Sequence, residues 1–144
     1  MTVSTVMTSS PACCTPSASL TEVARLMVDN DCGEIPVVED MQSRRLAGVI
    51  TDRDIATRIV AAGRNSAEAC ALDCMSKPAI SVNEDTSLQE CCELMETHQI
   101  RRVPVVDARG AVVGIVSLAD VVRNANASTT AAVVKEVSSG LERG

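Results

Sequence analysis

A hydroxyl followed three residues later by a carboxylate occurs twice in this chain, each time closing the same short phrase. Gly48-Val49-Ile50-Thr51-Asp52-Arg53-Asp54 and Gly114-Ile115-Val116-Ser117-Leu118-Ala119-Asp120 both read glycine, two β-branched residues, a hydroxyl, two free positions and an aspartate. A glycine that admits another group to the backbone, with a hydroxyl and a carboxylate at fixed offset, supplies the ingredients of a small-molecule site. The same spacing is also a helix capping box, in which hydroxyl and acid satisfy backbone N–H groups of the first turn. The two uses are compatible, because a helix start also favours bound anions.

The phrase sits inside a longer repeat. At an offset of 68 residues, Ser19, Leu20, Glu22, Leu26 and Met27 fall on Ser87, Leu88, Glu90, Leu94 and Met95, and Pro36-Val37-Val38 falls on Pro104-Val105-Val106. At the glycines the offset is 66, so the first copy carries two extra residues, around positions 41–46. Met7 and Met75 mark matching starts. Solenoid periods run roughly 20–50 residues, so the pattern is that of a duplicated small domain: one copy at 5–65, a second at 66–124 and a tail at 125–144.

Each copy reads extended segment, helix, strand, strand, helix, an α+β order. Ser19 and Ser87 sit three residues before Glu22 and Glu90, the spacing of a helix start. Apolar residues then recur at Leu20, Val23, Ala24 and Met27, and at Leu88, Cys91, Cys92 and Met95, one buried stripe per helix. Ile35-Pro36-Val37-Val38 and Val103-Pro104-Val105-Val106 predict short strands with proline at the entry. Asp107-Ala108-Arg109-Gly110 predicts a turn into a second strand, and the first copy makes the same hairpin with a longer loop. The connector 61–74 predicts a helix over 66–73, and 129–141 predicts a final amphipathic helix.

Composition narrows the function. The net charge is −6, from 13 basic and 19 acidic residues, which lacks the basic footprint of general nucleic-acid binding. No apolar run suggests a membrane span. Residues 1–15 show no basic stretch followed by an apolar one, so the expectation is a cytoplasmic protein without a secretory signal. Phe, Tyr and Trp are all absent, so a bound base would be held by aliphatic packing and backbone bonds rather than stacking. Among the seven cysteines Cys70 and Cys74 could sit one helical turn apart, but the one histidine, His98, has no partner at ligand spacing, so no metal framework is complete. Reduced thiols serving as small hydrophobes are the simplest account. No nucleophile, phosphate-loop or metal motif indicates an enzyme.

The whole pattern resembles a tandem pair of CBS (cystathionine-β-synthase-type) domains, the Bateman module. The resemblance rests on both seven-residue phrases, the two Ile/Val-Pro-Val-Val strands, and the starts Val6-Met7-Thr8 and Cys74-Met75-Ser76, and it covers about residues 5 to 124. It implies a β-α-β-β-α fold per copy, packed about a pseudo-twofold axis, with ligand clefts between the copies and pairing of modules into a homodimer. It also implies binding of adenosine compounds such as AMP, ADP or ATP, with NAD-type dinucleotides or S-adenosylmethionine as alternatives, and no enzyme cofactor. By the same resemblance, Asp54 and Asp120 would accept from ribose hydroxyls, while Thr51 and Ser117 would donate to phosphate. The backbone of Cys13 and Cys14, and of Ile80, Ser81 and Val82, would read the adenine edge, with Ile35 and Val103 as apolar walls.

The halves differ where phosphate would sit. Arg101-Arg102 precedes Val103, whereas Gly33-Glu34 precedes Ile35, and Glu34 would repel phosphate. Arg53 compensates in part within the first phrase, where the second has Leu118-Ala119. The expectation is a stronger phosphate site in the second copy, around Ser117, Asp120 and Arg102, because phosphate recognition needs charge-assisted donors. The function expected is a stand-alone regulatory nucleotide sensor acting on an unidentified protein partner. Two alternatives stay open: an interaction module with empty clefts, and a redox-responsive binder using Cys13 and Cys14.

Overall fold

A computed structural model describes residues 1–77 and 79–124, so the tail helix expected over 129–141 lies outside the described residues. In chain order the elements are β1 (Thr8–Ser9), α1 (Leu20–Asp29), β2 (Glu34–Val38), β3 (Leu46–Thr51), α2 (Asp52–Ile55), β4 (Val82–Asn83), α3 (Leu88–His98), β5 (Arg102–Val106), β6 (Val112–Ser117) and α4 (Leu118–Asn124). A π-helical turn, Ala56–Val60, continues α2, and single 3-10 turns span Val3–Thr5 and Ala71–Asp73. The expected helix-strand-strand-helix order therefore recurs in both copies.

The local chemistry explains the helix starts. Ser19 and Ser87 accept the N–H of Glu22 and Glu90 at 3.1 Å each. Both helices bury the expected stripe, with one exchange: Ala24 is exposed and Leu26 packs on the core instead. The strands begin one residue before their Ile/Val-Pro pairs, so Pro36 lies inside β2, opposite Val49. Its missing N–H removes no ladder bond, because the neighbouring segment contributes only the single bridge at Cys14.

The chain divides into two compact units. The first holds Pro11–Ile80 with Arg109–Val112, and contains the antiparallel pair β2–β3. Leu20, Val23, Ile35, Val37, Ile50, Ile59, Ala71, Cys14 and Cys74 belong to its apolar core. The second unit holds Met1–Ser10, Ser81–Ala108 and, of the described residues, 113–124, with a four-stranded sheet in the order β1-β6-β5-β4. Their cores are aliphatic and sulfur-rich, as a chain without aromatic residues requires.

The start segments do not stay beside the residues that follow them. Residues 3–10 build into the second unit: Val3 N–H donates to the Thr86 carbonyl at 2.9 Å, and Thr8 and Ser9 pair with Ile115 and Gly114. Residues 71–76 build into the first unit: Ala71 N–H donates to the Ala18 carbonyl at 2.9 Å, and Ser76 and Val49 exchange two backbone bonds at 2.8 and 3.1 Å. Each contact maps onto the other by the 68- and 66-residue offsets. This pairing also replaces the helix expected over 66–73. Cys70 is extended and bridges Ser19, Asp73 Oδ2 accepts the Cys70 N–H at 2.8 Å, and the segment makes only two short turns, at 66–68 and at Ala71–Asp73.

The glycines of the repeated phrase are explained by the same exchange. A Cβ on Gly48 would lie 2.8 Å from the Ser76 carbonyl oxygen and 3.2 Å from Met75 Sδ. One on Gly114 would lie 3.0 Å from the Thr8 carbonyl oxygen and against Met7 Sδ. The group admitted to each glycine is thus a start segment of the chain itself.

Candidate functional site

Both hydroxyl-aspartate pairs form complete capping boxes. Thr51 Oγ1 accepts the Asp54 N–H at 3.0 Å while Asp54 Oδ2 accepts the Thr51 N–H at 2.9 Å. Ser117 Oγ accepts the Asp120 N–H at 3.1 Å, and Asp120 Oδ2 accepts the Ser117 N–H at 3.0 Å. One carboxylate oxygen per aspartate is thereby committed to the fold. The other, Oδ1, meets an arginine: Arg58 at 3.7 Å from Asp54, and Arg123 at 2.6 Å from Asp120. These arginines are about half exposed or more, and such surface pairs contribute only ~0–1 kcal/mol. A ligand hydroxyl that takes Oδ1 therefore displaces little.

The extended segment before each helix runs beside the central strand of its copy. Cys14 N–H donates to the Pro36 carbonyl at 3.1 Å and its carbonyl accepts from Val38 N–H at 2.8 Å. In the second unit Val82 pairs in parallel with Val105, the position equivalent to the Cys14–Val37 bridge. Backbone groups of successive extended residues point to opposite edges. Those of Cys13 and Ser81 thus face away from β2 and β5, the side on which a base edge would be read. Ile80 is the last residue of the first unit. Ile35 and Val103 are 1% and 0% exposed and belong to the core.

Of the expected site residues, Cys13, Cys14, Ile35, Thr51, Arg53 and Asp54 lie in the first unit, and Ser81, Val82, Val103, Ser117, Asp120, Arg101 and Arg102 in the second. Backbone bonds fix the correspondence around the caps. The Gly33 carbonyl accepts the Asp52 N–H at 2.9 Å, and the Arg101 carbonyl accepts the Leu118 N–H at 2.7 Å. Glu34 is in register with Thr51. Its counterpart beside Ser117 is the exposed Arg102. In the first unit Asp52 Oδ1 also accepts the Arg53 N–H at 2.8 Å, and a Cβ on Gly33 would lie 2.9 Å from Asp52 Oδ2. Asp52 thus folds its carboxylate over the helix start, where the second unit carries Leu118.

Residue-level reasoning from sequence singled out neither Asp52 nor the arginines that close the sites. Asp54 and Arg58 stand at i,i+4, a spacing that does signal a helix-surface pair. Arg58 also donates to the Cys74 carbonyl at 2.9 Å, which no local pattern reveals. Arg44 is a second such case, donating to the Pro11 carbonyl at 2.9 Å and to Cys13 Sγ at 3.2 Å.

A cavity of about 530 Å³ in the second unit lies elsewhere, at the Val106 end of β5. Asn83, Glu84, Asp85, Thr86, Glu90 and Asp107 line it, an acidic wall that suits no phosphate. Among the described residues no cluster of His, Cys, Asp and Glu is placed to hold a metal ion. No helix among them is long and apolar enough to cross a membrane.

All seven cysteines are free. Burial pushes the Cys14 and Cys91 thiols up to about 12, and pushes up Cys13, where the Arg44 guanidinium opposes the shift without reversing it. A protonated, buried thiol is a poor nucleophile. Brief alkylation with iodoacetamide at neutral pH, read by peptide mass spectrometry, is expected to mark the half-buried Cys32 and Cys70 first. Equal labelling of Cys14 or Cys91 would contradict this, and would revive a redox role for the Cys13 and Cys14 segment.

Two stretches of the chain, 3–61 and 71–127, match the CBS domain family model. Hypoxic response protein 1 of Mycobacterium tuberculosis is 34% identical over 134 residues, covering 93% of this chain and 92% of that protein. The crystal structure of Hypoxic Response Protein I with two coordinated zinc ions superposes with a TM-score of 0.77 at 35% identity, covering 87% of this chain and 99% of that one. The structure of CBSX2, an Arabidopsis thaliana CBS-pair protein, in complex with AMP matches at 0.70 and 27% identity, over 85% and 93%. The CBS domain pair of MJ0100, in complex with 5′-methylthioadenosine and S-adenosyl-L-methionine, matches at 0.75 and 28%, over 85% and 98%. Curated relatives 34–41% identical to this chain are matched over between 54% and 92% of their own length.

Proposed function

The chain belongs to the CBS-domain family, and on that footing we propose that it is a non-catalytic regulatory module that binds an adenosine nucleotide. The observation that carries this reading is the duplicated cap, Thr51/Asp54 and Ser117/Asp120, with an outward carboxylate oxygen paired, among the described residues, with a surface arginine. Each cap stands in the same unit as an extended segment whose backbone edge suits an adenine. The AMP complex of CBSX2 and the adenosine-compound complex of MJ0100 support the ligand class.

In this reading Asp120 takes the ribose hydroxyls, Ser117 with Arg101 and Arg102 takes phosphate, and Ser81 and Val82 offer their backbone to the base. Asp54, Thr51 and Arg53 with Cys13 and Cys14 are the matching set in the first unit. Ligand binding acts by differential affinity for two arrangements of the module, in a homodimer that presents the result to a protein partner.

The absence of Trp and Tyr makes the test direct. Tag-free protein has almost no near-ultraviolet absorbance of its own, so a co-purified base stands out as an adenine band. The expected result is such a band, released on denaturation and identified by mass spectrometry. Titration with AMP should then show saturable binding, weakened far more by Arg102→Ala than binding of adenosine is. Protein that neither carries an adenine compound nor binds one on titration would instead support an interaction module with empty sites.

A further inference from the structure

The two start segments occupy matching places in the repeat, yet the chain holds them unequally. Residues 1–8 build into the second unit and 69–76 into the first, related by the offset of 68. Their matching backbone bonds have equal lengths: Val3 N–H donates to the Thr86 carbonyl and Ala71 N–H to the Ala18 carbonyl, both at 2.9 Å. Leu88 N–H donates to the Met1 carbonyl and Leu20 N–H to the Ala69 carbonyl, both at 3.2 Å. The difference lies in the side chains.

Arg58, in the π-helical turn after α2, donates from Nη1 to the Cys74 carbonyl at 2.9 Å and to the Met75 carbonyl at 3.4 Å. Arg64, just beyond that turn, pairs with Asp73 at 3.3 Å. Guanidinium bonds are charge-assisted, and an arginine that spans two successive carbonyls fixes the path of the segment it grips. At the 66-residue offset the places of Arg58 and Arg64 are taken by Asn124 and Thr130, neither of them cationic. Asn124 donates to the Asp120 carbonyl of its own helix instead. Among the described residues, the side-chain bonds of 1–10 stay within the segment, Thr2 with Ser4 and Thr5 with the Thr2 carbonyl. Burial follows the same division. Ala69, Ala71, Cys74 and Met75 are buried, whereas of residues 1–8 only Val3 is, and Met1, the counterpart of Ala69, is 73% exposed.

We propose that the second unit is the moving half of the module. It opens as one piece when residues 1–10 leave it, while the first unit stays folded under its two arginine clasps. Proteins open locally in such cooperative pieces, and the parts that respond to binding are drawn from the least stable of them. A ligand or partner that binds the folded second unit therefore acts by holding it closed, a population shift confined to half of the chain. The device holds whatever that ligand is.

The test is native-state hydrogen exchange on the full chain, read amide by amide by NMR and expressed as protection factors. Val3 and Leu88 N–H should share one protection with Leu118 N–H, which the Arg101 carbonyl holds at 2.7 Å in the same unit. Ala71, Leu20 and Ser76 N–H of the first unit should be protected at least tenfold more. Arg58→Asn with Arg64→Thr installs the residues of the second copy. It should lower protection of Ala71 and Ser76 at least tenfold and leave that of Val3 within threefold. Should the double variant fail to fold, Arg58→Lys, which keeps the charge but loses the planar fork, should lower the same two amides selectively, by a smaller factor. Equal protection of the matched amides in the native chain would overturn the proposal, since the module would then open as a whole. So would clasp variants that change Ala71 and Val3 by the same factor.

Discussion

Deleting Met1–Ser10 is expected to unfold the second unit, although these residues lie far in sequence from everything they support. Val3 is fully buried there, and burial of a valine contributes about 1.5–3 kcal/mol. The segment also supplies β1, paired with β6 at Thr8 and Ser9, and accepts or donates backbone bonds with Thr86, Leu88 and Val113. Each such bond is worth about 0.5–1.5 kcal/mol net, and removal leaves its partner unsatisfied. The sum reaches several kcal/mol, against a total of about 5–15 kcal/mol for a typical domain. Circular dichroism should show loss of helix and strand signal at room temperature, together with loss of AMP binding. Gly114→Val is the point-substitution version: its side chain would collide with the Thr8 carbonyl oxygen and Met7, and a lowered melting midpoint is expected. A truncated chain that melts with the full one would show that residues 1–10 are dispensable, and that the exchange of start segments is not what holds the unit.

That exchange is also the part of the fold the sequence conceals. Repetition, the serine caps, the apolar stripes and the strand pairs are all local patterns, and the structure places them at the expected positions to within a residue or so. Which copy a start segment joins is decided by long-range packing, and Met7 and Met75 read alike wherever they go. The sequence did carry one clue, since a glycine in a β-branched run implies that something approaches the backbone. It could not say that the approaching group was the chain's own carbonyl. The connector failed for the same reason: 66–73 contains good helix formers, yet pairing of Cys70 with Ser19 splits it into two short turns on either side of an extended Cys70. At the site, the capping box and the ligand reading shared one motif, and the structure assigns Oδ2 of each aspartate to the cap. The charge contrast between Glu34 and Arg102 was legible because the repeat aligned them. The carboxylate of Asp52 was not, because its role depends on the close approach to Gly33.

Division of labour within one carboxylate makes Asp120 the most informative side chain to change. Oδ2 closes the cap on Ser117 N–H at 3.0 Å, and Oδ1 is the oxygen a ribose would claim from Arg123. Asp120→Ala removes both, so AMP affinity should fall by about 1–3 kcal/mol, the range for hydrogen bonds to a charged group. Stability should fall too, by about 0.5–1.5 kcal/mol for the lost cap bond from the Ser117 N–H. Asp120→Asn separates the two. Its amide oxygen can still accept from Ser117 N–H, but the negative charge and one acceptor are gone. Its melting midpoint should therefore stay near that of the native chain while AMP binding weakens almost as much as in the alanine variant. Asp54→Asn, by the charge argument, should leave AMP binding unchanged. If Asp120→Asn binds AMP as the native chain does, the aspartate is a cap and nothing more, and any ligand of the second unit is held by other groups. If Asp54→Asn is the variant that loses AMP, the phosphate site has been placed in the wrong copy, since Glu34 would then be tolerating the charge it is expected to repel.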